Sequence, residues 1–96
     1  MTINMVLDEK REEILRLAAR RGAYNVRLFG SVARGESDSE SDVDILVDMD
    51  AGRSLLDLGG LWSDLNALLG VKVDVFTEDC LKSRVRERAM KEAVPL

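Results

Sequence analysis

The stretch Leu28–Asp50, LFGSVARGESDSESDVDILVDMD, decides how this chain is read. It opens with Gly30-x-x-x-x-Gly35 and continues Glu36-Ser37, where a P-loop would carry Lys-Ser. The P-loop lysine reaches the β- and γ-phosphates, so glutamate in its place sets negative charge against negative charge. An EF-hand fails in both registers the acids permit. Counted from Asp38, Val43 falls on the obligatory glycine and Met49 on the bidentate glutamate. Counted from Asp42, Val47 and Arg53 take those places.

The acids make sense as a strand. Asp42–Asp48 alternates, with Val43, Ile45 and Val47 on one face and Asp42, Asp44, Leu46 and Asp48 on the other. The Cα atoms of Asp42 and Asp44 then lie about 6.5–7 Å apart, at ~3.3 Å per residue. Carboxylates so spaced converge on one Mg²⁺ or bracket two ions about 3.5–4 Å apart. In VKVDVF, Val71–Phe76, Asp74 shares its face with Lys72 and Phe76 while Val71, Val73 and Val75 face the core. If the two strands are neighbours the three carboxylates form one cluster, which repels itself unless a cation or a proton intervenes.

Gly30 closes a third strand pattern over Asn25–Gly30, in which Val26 and Leu28 oppose Arg27 and Phe29. Ser31 then opens a short helical turn through Ala33 and Arg34. A small residue before a helix N-terminus lets backbone N–H groups and the Ser31 hydroxyl come close to a phosphate. Arg34 either contacts phosphate or pairs with the acidic loop. Glu36, Asp38, Glu40, Asp48 and Asp50 read as solvated.

Around this stretch the periodicity predicts a helix over Asp8–Arg21, with Asp8 as N-cap and Gly22 just past its end. A second helix is expected over Ser54–Leu69, with Ser54 and Asp57 as a capping box and Leu58, Leu61, Trp62, Leu65, Leu68 and Leu69 as its apolar stripe. Gly59 and Gly60 inside it suggest a kink or a close backbone approach. A final helix is expected from Glu78 or Asp79 to Ala93, with Leu81, Val85 and Ala89 inward. The fold class is therefore α/β (α+β): a small mixed sheet of about three to four strands with flanking helices, forming a single domain over residues 1–96.

Composition narrows the chemistry. There is no histidine, which excludes His-based triads and His-ligated zinc. The single cysteine, Cys80, fits a reducing compartment and hence a cytoplasmic protein. No apolar run approaches the ~20 residues of a membrane span, and the N-terminal residues show no secretory pattern. Seven acids and no base lie between Glu36 and Asp50, whereas Lys82, Arg84, Arg86, Arg88 and Lys91 crowd the last helix with one acid. That basic run suits nucleic acid, nucleotide phosphates or an acidic protein surface, or is a solvated helix face.

Gly30-Ser31, ten intervening residues and Asp42-Val43-Asp44 resemble the GSx10DxD signature of the polymerase-β-type nucleotidyltransferases. FGSVARGESDSESDVDILV is similar to their small prokaryotic members, the minimal nucleotidyltransferases, and Asp74 in VDVF matches the third acid of that family. The resemblance covers essentially the whole chain and implies the nucleotidyltransferase fold. It also implies Asp42, Asp44 and Asp74 as catalytic metal ligands, Gly30, Ser31 and Arg34 as nucleotide or phosphate contacts, and Mg²⁺ or Mn²⁺ with ATP as substrate. Asp42 and Asp44 would carry the triphosphate-bound ion. Asp44 and Asp74 would hold a second ion near the attacking hydroxyl, with Asp74 as candidate general base. The helical substrate-binding domain of larger relatives is not expected here, so a second protein is expected to present the acceptor. The family pairs such domains with HEPN-domain toxins, silenced when AMP is transferred from ATP to a tyrosine hydroxyl. A hetero-oligomer with such a toxin is then the expected assembly, without membrane association or direct nucleic-acid binding. Two other readings remain: a module that inhibits its partner by contact alone, and nucleotidyl transfer to a small molecule or an RNA end.

Overall fold

In the computed structural model, which describes residues 3–30, 32–33, 42–81 and 83–96, helices precede and alternate with the strands of a mixed sheet. Helices α1 (Ile3–Glu9) and α2 (Arg11–Arg20) lead into β1 (Ala23–Phe29) and β2 (Val43–Met49). Helix α3 (Leu55–Leu69), β3 (Val73–Phe76), a 3₁₀ turn (Glu78–Cys80), α4 (Ser83–Glu92) and β4 (Val94–Pro95) follow. The strand order is β3-β2-β1-β4; β2 runs parallel to β3, and β1 is antiparallel to both β2 and β4.

The valines do what their alternation demands. Val43, Ile45, Val47 and Val73 are fully buried on one sheet face, with Val26 and Leu28 beside them. Helices α1, α2 and α3 cover that face through Leu7, Ile14, Ala18, Leu61, Leu65 and Leu69. The opposite face carries a smaller core of Phe29, Leu46 and Ala89, with Phe76, Leu81 and Ala93 at its margin. Phe29 and Phe76 meet there edge to face at 5.6 Å. Both ends of α3 follow sequence chemistry. Ser54 and Asp57 form a complete capping box, and Gly70 ends the helix in the left-handed conformation.

Several boundaries differ from expectation. The chain is already helical from Ile3, so Asp8 lies in the last turn of α1 and is not an N-cap; Lys10 divides α1 from α2. Val6 and Leu7 pack on the core, which extends the apolar face upstream of Asp8. Strand β1 begins at Ala23, and its register with β2 shifts between Tyr24 and Arg27. Asn25, at φ 50°, supplies the left-handed residue of this bulge, a conformation asparagine tolerates better than most. Strand β3 begins at Val73, two residues later than the alternation suggests, though Val71 still packs on the core.

The expected final helix is broken into the 3₁₀ turn and α4. Helix α4 meets the sheet through Ala89, leaving Val85 47% exposed where an inward residue was expected. Trp62 is likewise 49% exposed and not core, because Leu61, Leu65 and Leu69 define the inner stripe and Trp62 lies about 100° round the helix from Leu61. The close approach at Gly60 comes from a side chain, not backbone. A Cβ there would lie 2.5 Å from the Arg21 guanidinium, which pairs with Asp64 at 3.1 Å. The fourth strand, β4, is only two residues long and carries no alternation to mark it; its proline sits at the sheet edge, where a missing N–H costs least. Among the described residues no helix is long and apolar enough to cross a membrane.

Candidate active site

The sheet face under α4 is ordered in rows across β2 and β3. Leu46 lies beside Phe76 and is roofed by Ala89. One row towards the strand starts, Asp44 lies beside Asp74 in the parallel register. One row further, Asp42 faces Lys72, with its Oδ2 3.6 Å from Nζ. The backbone reinforces this outer row, because Val43 N–H donates to the Lys72 carbonyl at 3.0 Å. Apolar packing thus ends where the carboxylates begin. Asp44 and Asp74 are half-buried, and Asp42 is exposed.

The end of β1 closes on the same place. Phe29 pairs with Asp44, and Gly30 follows at φ 75°. A Cβ on Gly30 would stand 2.6 Å from Oδ2 of Asp44. Only a glycine here combines the left-handed backbone with room for that carboxylate. Asp44 is held above the ordinary carboxylate range, first by burial, then by the neighbouring charges of Asp74 and Asp42, with Lys72 opposing.

The three acids share a face, but as the side chains stand they are not drawn into one cluster. Among the described residues no group of three or more acids or thiols is gathered closely enough to hold an ion, and Asp42 is engaged with Lys72. The donor set nevertheless fits a hard divalent cation. It offers carboxylate oxygens, with neither histidine nor a second cysteine in the chain, and it concentrates negative charge that a cation would relieve. Ser31 and Arg34 lie outside the described residues, as do Glu36, Asp38 and Glu40. A groove of about 420 Å³ near the other end of β2, lined by Tyr24, Asp48, Arg53, Leu55 and Glu78 among others, contains none of the three acids.

Two supporting residues escaped the sequence reading. Arg27 is 8% exposed. It donates from Nη2 to Asp48 Oδ1 and from Nε to the Asn25 carbonyl, both at 3.0 Å, and lies 3.9 Å from Glu78. Asp48, expected to be solvated, is therefore the carboxylate partner of a buried cation and also accepts from Asn25 at 2.9 Å. The signal was present: Arg27 shares the Phe29 face and Asp48 the Leu46 face of adjacent strands. Asn66 on α3 donates from Nδ2 to the Val73 carbonyl at 3.0 Å and accepts from Val73 N–H at 2.9 Å. It fixes the backbone immediately before Asp74, and no motif marks it.

The nucleotidyltransferase domain family matches residues 7–96. The chain belongs to the nucleotidyltransferase family. A protein of Methanocaldococcus jannaschii, described provisionally as a protein adenylyltransferase, is 38% identical over 90 residues, covering 94% of this chain and 97% of its own. The protein adenylyltransferase MntA of Thermococcus cleftensis is 42% identical over 78 residues, covering 81% of this chain and 79% of its own. Among solved structures, one described provisionally as a minimal nucleotidyltransferase superposes with a TM-score of 0.87 at 49% identity, over 100% of this chain and 97% of its own. A chain of a toxin–antitoxin crystal structure with AMP-PNP has a TM-score of 0.74 at 20% identity, over 88% of this chain and 69% of its own, a likeness of fold. This nucleotidyltransferase thus carries the mixed four-stranded sheet of its structural neighbours.

Proposed function

We propose that this nucleotidyltransferase, as one minimal domain spanning residues 1–96, is a cytoplasmic protein adenylyltransferase and the antitoxin of a toxin–antitoxin pair. Its substrates are ATP and a tyrosine hydroxyl on a HEPN-domain toxin. The observation that carries the reading is the Asp44–Asp74 pair beside the Gly30 turn, in a chain 42% identical to the T. cleftensis adenylyltransferase. A crystal structure with AMP-PNP in a toxin–antitoxin assembly of the same fold supports both the nucleotide and the kind of partner.

In this reading Asp42, Asp44 and Asp74 hold Mg²⁺ or Mn²⁺, which when bound supplies charge neutralisation for the triphosphate. Gly30, Ser31 and Arg34 receive the phosphates. The partner's hydroxyl oxygen attacks the α-phosphorus, the α–β phosphoanhydride bond breaks and pyrophosphate leaves. The hydroxyl proton passes to Asp74. Asp44 and Asp74 are half-buried one row from the Phe29–Leu46 core, and in this reading the chain contributes mainly positioning.

The test is incubation of the chain with each labelled NTP, Mg²⁺ and the protein encoded beside it, followed by intact mass of both proteins. The expected result is a gain of AMP on the partner's tyrosine, abolished by Asp42→Asn with Asp44→Asn, and loss of neutralisation by that double variant. Full neutralisation by the double variant, with no nucleotide on the partner, would overturn the catalytic reading in favour of inhibition by contact.

A further inference from the structure

Lys72 is placed as no other base among the described residues. It precedes Asp74 by two positions on the same face and stands opposite Asp42 at 3.6 Å. The outermost row of the site is therefore a plus–minus pair, and the next row is the Asp44–Asp74 minus–minus pair. Both partners of the outer row are well exposed, Lys72 at 67% and Asp42 at 48% of their side chains. An ion pair this accessible is weak and easily exchanged. It nevertheless occupies the carboxylate that a divalent ion would need alongside Asp44.

We propose that Lys72 is the site's built-in counter-cation: its ammonium holds Asp42 apart from Asp44 and Asp74 and must be displaced before the three carboxylates can close on a divalent ion. The inference rests on the reading of these acids as the metal-binding set. Its consequence is selectivity. A lone cation must evict Lys72 into solvent and then endure its repulsion. An ion arriving on a triphosphate brings phosphate oxygens that accept the displaced ammonium. Lys72 therefore biases the site against the free ion and towards the nucleotide-borne one.

The experiment is an EPR titration of free Mn²⁺ against the full chain at low ionic strength without nucleotide, on wild type, Lys72→Met, Lys72→Arg and Asp44→Asn. Thermal melts in metal-free buffer confirm that each variant is folded, and the exposure of Lys72 makes that the expected outcome. Lys72→Met should bind Mn²⁺ about two- to fivefold more tightly than wild type, the range an exposed ion pair commands. Lys72→Arg should match wild type. The gain should shrink as salt is raised, because the charges are exposed. Equal affinity in wild type and Lys72→Met, with binding still lost in Asp44→Asn, overturns the role of Lys72 and leaves the metal site standing. Mn²⁺ binding unaffected by Asp44→Asn, or absent from both wild type and Lys72→Met, overturns the metal site and the proposal together.

Discussion

Gly30 and Asp44 compete for one position: a Cβ added to Gly30 would lie 2.6 Å from the Asp44 Oδ2. The end of β1 and the start of β2 are thus coupled through a missing side chain. Gly52 provides a matched control, because it too has a left-handed φ, 88°, but nothing within 4 Å of an added Cβ. Gly52→Ala should show backbone strain alone, about 1–2 kcal/mol. In a domain of this size that lowers Tm by roughly 4–16 °C. Gly30→Ala should lose at least as much and should also push the Asp44 carboxylate aside, weakening Mg·ATP binding and slowing transfer at least tenfold. Equal nucleotide affinity in the two variants would show that the contact has no part in the site.

The burial of Asp44, and after it the crowding by Asp74 and Asp42, has a signature in stability against pH. Its folded pKa is raised, so the folded chain holds that proton more tightly than the unfolded chain. The stabilising contribution is fully present below the ordinary aspartate range and is lost as pH rises through the raised value. At neutral pH without metal, the charged Asp44 therefore opposes folding. Asp44→Asn should raise the metal-free Tm at pH 7 by a few degrees and flatten its decline between acid and neutral pH, while abolishing Mg²⁺-dependent stabilisation. A metal-free Tm that falls at pH 7 would mean that the charged form is satisfied by the fold.

The sheet and the position of the acids were legible because alternation binds a strand's burial to its chemistry. Once Val43, Ile45 and Val47 go inward, Asp42 and Asp44 must share the other face. Strand β4, the break before α4 and the exposure of Trp62 were not legible, because each depends on tertiary packing. Val94 and Pro95 acquire a strand partner only because β1 offers an edge, and Trp62 sits outward only because Leu61 takes the inner position. The pairing of Asp42 with Lys72 was likewise hidden. Sequence places both on acid-bearing faces but does not give the parallel register that sets one opposite the other.

Arg27 and Asp48 should prove unequal to any surface ion pair. Arg27 is 8% exposed, and its partners join β1, β2 and the 3₁₀ turn that precedes α4. Removing Asp48 leaves a buried guanidinium with Glu78 at 3.9 Å, the Asn25 carbonyl and the weak acceptor Met90 Sδ at 3.7 Å. Asp48→Ala should cost about 3 kcal/mol, in the range for breaking a buried pair. Arg16→Ala, which removes the exposed Arg16–Glu12 pair at 3.7 Å, should cost well under about 1 kcal/mol. Urea denaturation of both variants separates the two cases. Comparable losses would show that Arg27 is solvated in solution.

Asn66 makes the strongest claim on the site from a distance. Its amide completes both hydrogen bonds of the Val73 backbone, at 2.9 and 3.0 Å, and Val73 is fully buried one residue before Asp74. Asn66→Ala leaves a buried N–H without its acceptor, at a cost of about 1–3 kcal/mol. Asn66→Asp keeps the acceptor but sets a carboxylate against the carbonyls of Trp62 and Val73, to which the amide nitrogen donates at 2.7 and 3.0 Å. Both variants should therefore melt earlier than wild type. Hydrogen exchange tells their mechanisms apart: the Val73 amide should lose protection in Asn66→Ala and keep more of it in Asn66→Asp. If Asn66 holds the Asp44–Asp74 register, both variants should also transfer nucleotide more slowly well below their Tm, where the chain is folded. Unchanged transfer at those temperatures, with Val73 exchange accelerated, would confine Asn66 to stability and leave the register to the β2–β3 ladder alone.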